Sequence, residues 1–225
     1  VDCCNEQGES MNKHKIKQGV EVSYHSAPFP AVKSYKVTGN DSVYLFGEIE
    51  SAFDFVEAIE VLTKAEQGDV VTLHVSGPGG CVSSVDALLH AIEIAQKKDV
   101  IVHAVCTGLV ASAMTFIPLA CTSFELSNGF HALIHNGSLG DGGAFNQFRA
   151  STAFYIKYME QRLRDVYEHF LTEEELSAVM DGKDIWLTPE EWGERYDRRN
   201  AAYDLIYQEL QNQDEENLDG ELQED

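Results

Sequence analysis

Positive charge is scarce in this chain. Sixteen Lys and Arg residues stand against 38 Asp and Glu, a net charge of -22. Such a surface repels phosphate backbones and anionic headgroups, so nucleic acid and membrane surfaces are not expected partners. Long apolar runs are missing too: none approaches the roughly 20 residues of a membrane span. Residues 1–19 are polar and lysine-containing, without the apolar centre of a secretory signal. The five cysteines, Cys3, Cys4, Cys81, Cys106 and Cys121, are odd in number and show no CxxC or Cys/His spacing. That excludes a recognisable zinc motif and points to free thiols in a reducing, cytoplasmic setting. No metal and no cofactor is expected. Internal repeats are absent, as are Gly-x-Ser-x-Gly and a Gly-Lys-Ser/Thr phosphate loop.

What is present is alternation. With 225 residues and 44% hydrophobic composition, the chain can bury one sizeable core. Residues 1–40 are expected to form an N-terminal arm with one short strand near Val20–Tyr24. The β-branched and aromatic run Ser42–Ile49 predicts a strand. Ser51 followed by Asp54 opens a helix whose apolar face is Ala52, Phe55, Val56, Ile59 and Leu62. Val70–Val75 is a second strand, "SGPGG" (Ser76–Gly80) a tight turn, and Val85, Leu88, Leu89, Ile92 and Ala95 mark the next helix. Val100–Val105 is a third strand, followed by a helix containing Ser112. Strands near Phe124–Leu126 and over Phe130–His135 complete the series. Short strand–helix–strand connections imply a mostly parallel α/β sheet, with functional loops at the carboxyl ends of its strands. A long helix is expected over Ala144–Phe170, a capped one over Thr172–Gly182, and another opened by Pro189. From Asp204 onward there are nine acidic residues and no Lys or Arg, so residues 201–225 are expected to be an acidic tail with a disordered end. The domain proper would span 41–200.

Three features carry chemistry. Ser112 lies just past a strand, in a small and apolar run; a serine there either packs or presents its hydroxyl to a cleft beside free helix-start amides. The glycines of "SGPGG" can aim backbone N–H groups outward as an oxyanion hole, or simply make a turn. His135 ends a strand at the same sheet edge and is placed to act as a base; His131, four residues earlier on the same face, is about 13 Å away. A carboxylate to orient the imidazole is best supplied by Asp184, before "IWLTPEEW", with Asp181 and Asp141 as alternatives.

Together these segments resemble the ClpP family of serine peptidases, the proteolytic subunit of the Clp protease. The resemblance covers about Ser42–Tyr196. "VYLFGEI" is similar to the family's first strand, and "LHVSGPGG" to its strand and Ser-Pro-Gly-Gly turn. "GLVASAM" is similar to its Gly-x-x-Ala-Ser nucleophile segment, "SNGFHALIHNGSLGDGG" to its Ile-His-Gln-Pro region, and "DIWLTPEE" to its Asp-x-Phe-Leu-Ser-x-x-Glu segment. Departures are Asn136–Gly137 in place of Gln-Pro, and Gly77 inserted in the glycine turn.

The resemblance implies a ClpP/crotonase-like ββα superhelix with a protruding long helix. It also implies Ser112 as nucleophile, His135 as base and Asp184 as its orienting carboxylate. Gly80 and Ala113 would supply the oxyanion hole. Family members form rings enclosing a chamber, which implies self-association and protein or peptide substrates. It further implies either an AAA+ unfoldase partner or, for a bacteriophage-type member, capsid or scaffold proteins processed in a procapsid. Two other classes remain in view: a catalytically inactive ClpP-like scaffold subunit, and a crotonase-type acyl-CoA enzyme, for which cations to hold the CoA phosphates are scarce.

Overall fold

A computed structural model describes residues 15–16, 20–22, 32–37, 40–138 and 145–221. Cys3, Cys4, Asp141 and most of the glycine-rich loop after His135 lie outside the described residues. The chain divides into two compact units, Val1–Leu133 and Ile134–Asp225.

The first unit is built on a sheet. Strands β1 (Lys15–Ile16), β2 (Val20–Val22), β3 (Val32–Val37) and β4 (Asn40–Ile49) pair antiparallel in sequence order. β3 lies within the expected N-terminal arm, yet it pairs with β4 from Val32↔Leu45 to Val37↔Asn40. Its alternation in "VKSYKV" is the strand signal that the sequence reading passed over. A 3-10 turn (Ala52–Phe55) and helix α1 (Val56–Lys64) follow. Asp54 Oδ2 accepts from the backbone N–H groups of Glu50 and Ser51, both at 2.9 Å, which fixes this start. Phe55, Ala58 and Leu62 are buried, whereas Val56 is exposed. Then come β5 (Val70–Gly80), α2 (Val82–Gln96), β6 (Ile101–Ala111), a second 3-10 turn (Ser112–Thr115), α3 (Phe116–Ala120), β7 (Ser123–Leu126) and β8 (His131–Ile134). β4, β5 and β6 run parallel, and β7 and β8 pair with successive halves of the same edge of β6.

Alternation along the parallel strands decides which face is core. Val43, Leu45, Val71, Leu73, Val75, Val102, Ala104 and Cys106 are buried with the inner faces of α1 and α2, where Leu62, Val85, Leu88 and Ile92 sit. Each buried Val, Leu or Ile among them contributes about 2 kcal/mol through water exclusion. The other face carries half-buried Tyr44 and His74, whose rings stack at 4.3 Å.

Two strands are longer than the hydrophobic pattern predicts. "SGPGG" is not a turn: β5 continues through it to Gly80, pairing Glu48↔Gly79 and Ile49↔Gly80. Likewise β6 runs past Val105 to Ala111. The glycines and the proline are absorbed as irregularities instead of ending the strands. Against β4 the register jumps between Phe46 and Glu48, where Pro78 needs no ladder N–H; against β6 it jumps from Val75↔Cys106 to Gly77↔Val110.

The second unit holds α4 (Phe145–Tyr167), α5 (Glu173–Met180), β9 (Ile185–Leu187) and α6 (Pro189–Glu221). Its core is Leu163, Val166, Tyr167, Phe170, Leu176, Val179, Leu187 and Trp192. The expected apolar stripe of α4 is buried only at its carboxyl end; Phe148 and Ile156 are exposed, as are Phe145 and Phe154. Two Thr-x-x-Glu sequences cap helices reciprocally, Thr172 with Glu175 and Thr188 with Glu191. α6 continues to Glu221, helical where the acidic composition predicts disorder, and the last four residues lie outside the described ones. Among the described residues, no helix is long and apolar enough to cross a membrane.

Candidate active site

The site begins with a strained backbone. Ser112 opens its 3-10 turn with φ +54°, a left-handed conformation that costs a non-glycine residue about 1–2 kcal/mol. Ala111 before it is fully extended at φ -125° and ψ 155°. The chain therefore turns sharply at the serine, lifting it out of the ladder. This is the strand-to-helix geometry of a nucleophile elbow without the Gly-x-Ser-x-Gly sequence. The strain is held from behind. Thr115 Oγ1 donates to Ser112 O at 2.6 Å, Thr115 is fully buried, and Ala113, Met114 and Phe116 are packed into the core. Ser112 itself is half-buried.

β5 meets this turn edge-on. A β-carbon built on Gly79 would lie 2.6 Å from Ala111 O, 2.6 Å from Ser112 Cβ and 3.1 Å from Ala113 N. Only a glycine allows that approach, and its φ of +96° requires one independently. Gly80 (φ +139°) is equally constrained: its β-carbon would stand 2.1 Å from Ile49 O. The bond to Ile49 O comes from the next residue, Cys81 N, at 2.8 Å. The register jumps of β5 thus accompany the approach of Gly79 to Ser112 and Ala113, while Gly80 packs against Ile49.

Cys81 follows at the start of α2. Its thiol lies 3.2 Å from Ser83 Oγ. Hydrogen bonds from the Ser83 and then the Ser84 hydroxyls lower its pKa from the ordinary thiol value. Burial pushes the Cys106 thiol up to about 12 and raises that of Cys121 further.

His135 and Asp184 belong to the second unit. His135 is half-buried and directly follows β8. Asp184 is exposed, immediately before β9. Asp181, one alternative, is exposed at the C-cap of α5; Asp141, the other, lies outside the described residues. His131 is exposed, and its Nδ1 lies 3.2 Å from Gly129 O. A link absent from the sequence reading joins the two segments: Asn136 Nδ2 donates to Met180 O at 2.9 Å. Nothing in a lone Asn after His announces such a bond, because its acceptor is a backbone carbonyl far along the chain.

Downstream of Asp184 an ion-pair cluster fixes α5 on α6. Arg195 Nη2 donates to Glu175 Oε1 at 2.6 Å, and Arg198 lies 3.6 Å from Glu175 Oε2. Burial works against the Glu175 charge. The Thr172 backbone N–H and the Arg195 guanidinium outweigh it, aided by Arg198, and hold the carboxyl below its usual range. Compared with models of known protein families, residues 32–194, well over half of the chain, match the one described as Clp protease.

Proposed function

The chain belongs to the Clp protease family, and from that premise we propose that it is a serine endopeptidase working through Ser112, His135 and Asp184. Ser112 Oγ attacks the carbonyl carbon of the scissile peptide bond while His135 accepts the hydroxyl proton. The oxyanion of the tetrahedral intermediate is taken by the backbone N–H groups of Gly80 and Ala113. Collapse breaks the C–N bond as His135 returns the proton to the leaving amine. Water, deprotonated by His135, then hydrolyses the acyl-serine and frees the second product. Asp184 fixes the imidazole tautomer and offsets its transient charge.

One observation carries this reading: Ser112 is held at φ +54° against Gly79. A serine that only fills space has no need of a left-handed backbone. A nucleophile presented beside helix-start amides does.

The substrates in this reading are polypeptides and the assembly is a ring of identical subunits. The exposed aromatic and aliphatic side chains of α4, Phe145, Phe148, Phe154 and Ile156, support self-association, because a soluble subunit rarely leaves so many large apolar groups on one helix uncovered. The net charge of -22 argues against nucleic acid as a partner. An unfoldase or a phage capsid protein remains the partner class that the resemblance implies.

The test is fluorophosphonate labelling followed by peptide mapping. The expected adduct sits on Ser112 and is lost in Ser112→Ala. A folded, assembled wild-type protein that takes up no label overturns the peptidase reading.

A further inference from the structure

We propose that Asn136 is a positioning residue, whose side-chain amide ties the strand end carrying His135 to the helix-to-strand turn carrying Asp184. The proposal rests on the roles assigned above to His135 and Asp184, and it concerns only the second unit.

The argument is an accounting of the carbonyls at the end of α5. The last carbonyls of a helix have no intrahelical donors and must find others. At this terminus a Schellman motif takes most of them. Lys183 N donates to Ala178 O and Gly182 N to Val179 O, both at 2.9 Å, while Asp181 N donates to Ser177 O at 3.0 Å. Gly182 supplies the left-handed residue this motif requires, at φ +93°. The motif leaves Met180 O, and the donor that reaches it is Asn136 Nδ2, at 2.9 Å. The helix end is thus completed by a side chain from a different element.

The position of the tether gives it consequence. Asn136 is the residue after His135, and Met180 precedes Asp184 by one turn of chain. A glycine with left-handed backbone lies next to each anchor: Gly137 (φ +82°) follows Asn136, and Gly182 stands between Met180 and Asp184. The amide bond adds a side-chain tie between the two segments, made on the His135 side of Gly137 and on the α5 side of Gly182. With it, the His135 backbone and the Asp184 turn move together. Asn is short, so making the bond costs it few rotamers.

The test separates positioning from packing by reading His135 directly. In the full chain, the His135 ring Cε1–H resonance is recorded with and without Asp184→Asn, in the wild-type and Asn136→Ala backgrounds. The expected result is a shift on Asp184→Asn in the wild type that disappears, or falls several-fold, in Asn136→Ala. Fluorophosphonate labelling of Ser112 should slow about 10- to 100-fold, as expected for a misplaced catalytic group, and Asn136→Gln should recover part of that rate. If Asn136→Ala fails to fold, Asn136→Asp, equal in size but lacking the donor, takes its place. An Asp184→Asn shift of equal size in both backgrounds overturns the tether, and so does a wild-type ring that does not respond to Asp184→Asn. If the coupling is lost on Asn136→Ala but the wild type takes no label, the tether stands and the peptidase reading falls. If the wild type takes up label and Asn136→Ala does so at the same rate, the tether falls and the peptidase reading stands.

Discussion

Gly79 is pressed so closely on Ser112 that a β-carbon on the glycine would stand 2.6 Å from the β-carbon of the serine. The clash is with backbone as well, since Ala111 O is equally near. No rotamer change relieves it. Gly79→Ala should therefore displace the Ser112 turn, lower stability by about 3 kcal/mol or more and abolish labelling of Ser112. Thermal melting and fluorophosphonate uptake measure the two effects. A variant with native stability would mean that the strands part without cost and that the close approach does not hold the serine.

The left-handed backbone of Ser112 makes a second, oppositely signed prediction. Glycine accepts φ +54° without the steric cost that serine carries. Ser112→Gly should be more stable than Ser112→Ala by about 1 kcal/mol, although neither takes up label. Urea unfolding of the two variants decides it. Equal stability would argue that the serine backbone is unstrained.

If His135 is the base, His135→Ala should keep the fold and reduce labelling of Ser112 by roughly 10³-fold or more. Asp184→Asn should act in the same direction. Undiminished labelling in His135→Ala would assign the base elsewhere.

Glu175 couples stability to pH. Its carboxyl is held below the ordinary range in the folded protein. The stabilisation is therefore present above the unfolded carboxylate value of about 4.3 and is lost as pH falls through the lower folded value. Glu175→Gln should cost about 2 kcal/mol at pH 7, because it leaves Arg195 and Arg198 without their carboxylate partner. The gap from wild type should narrow as the pH drops below 4. Denaturant melts across that range test the sign, and a gap that widens on acidification would contradict it.

The three described thiols should separate by reactivity. Cys81 is partly accessible and hydrogen-bonded to serine hydroxyls that favour its thiolate, while Cys106 and Cys121 are buried with raised pKa values. Under native conditions iodoacetamide should modify Cys81 and spare the other two until the protein unfolds, as read by mass spectrometry. Early modification of Cys106 would imply an opening of the β6 core.

Much of this molecule was legible in order and type of element. Strands β4 to β8 and helices α1, α2 and α4 to α6 follow from periodicity and capping residues, and α5 and α6 begin where Thr172 and Pro189 place them. The reading faltered at glycine. "SGPGG" carries the signals of a turn and the third strand is expected to stop at Val105, yet both strands continue, because a neighbouring strand on each side offers a ladder into which an irregular residue can be taken up. It also faltered at the end of the chain: the acidic composition predicts disorder in about the last dozen residues, whereas α6 extends to Glu221.

The sequence by itself determined the alternation of strands and helices, the family, and the candidate residue types, since periodicity, caps and motif order are properties of short stretches. Only the tertiary structure decided that Gly79 meets Ser112, that the serine backbone is left-handed and that Asn136 completes the end of α5. Those facts depend on strand register and on which carbonyl is left over when a helix stops. Both are settled by packing between segments distant in the chain, where local propensity has no hold.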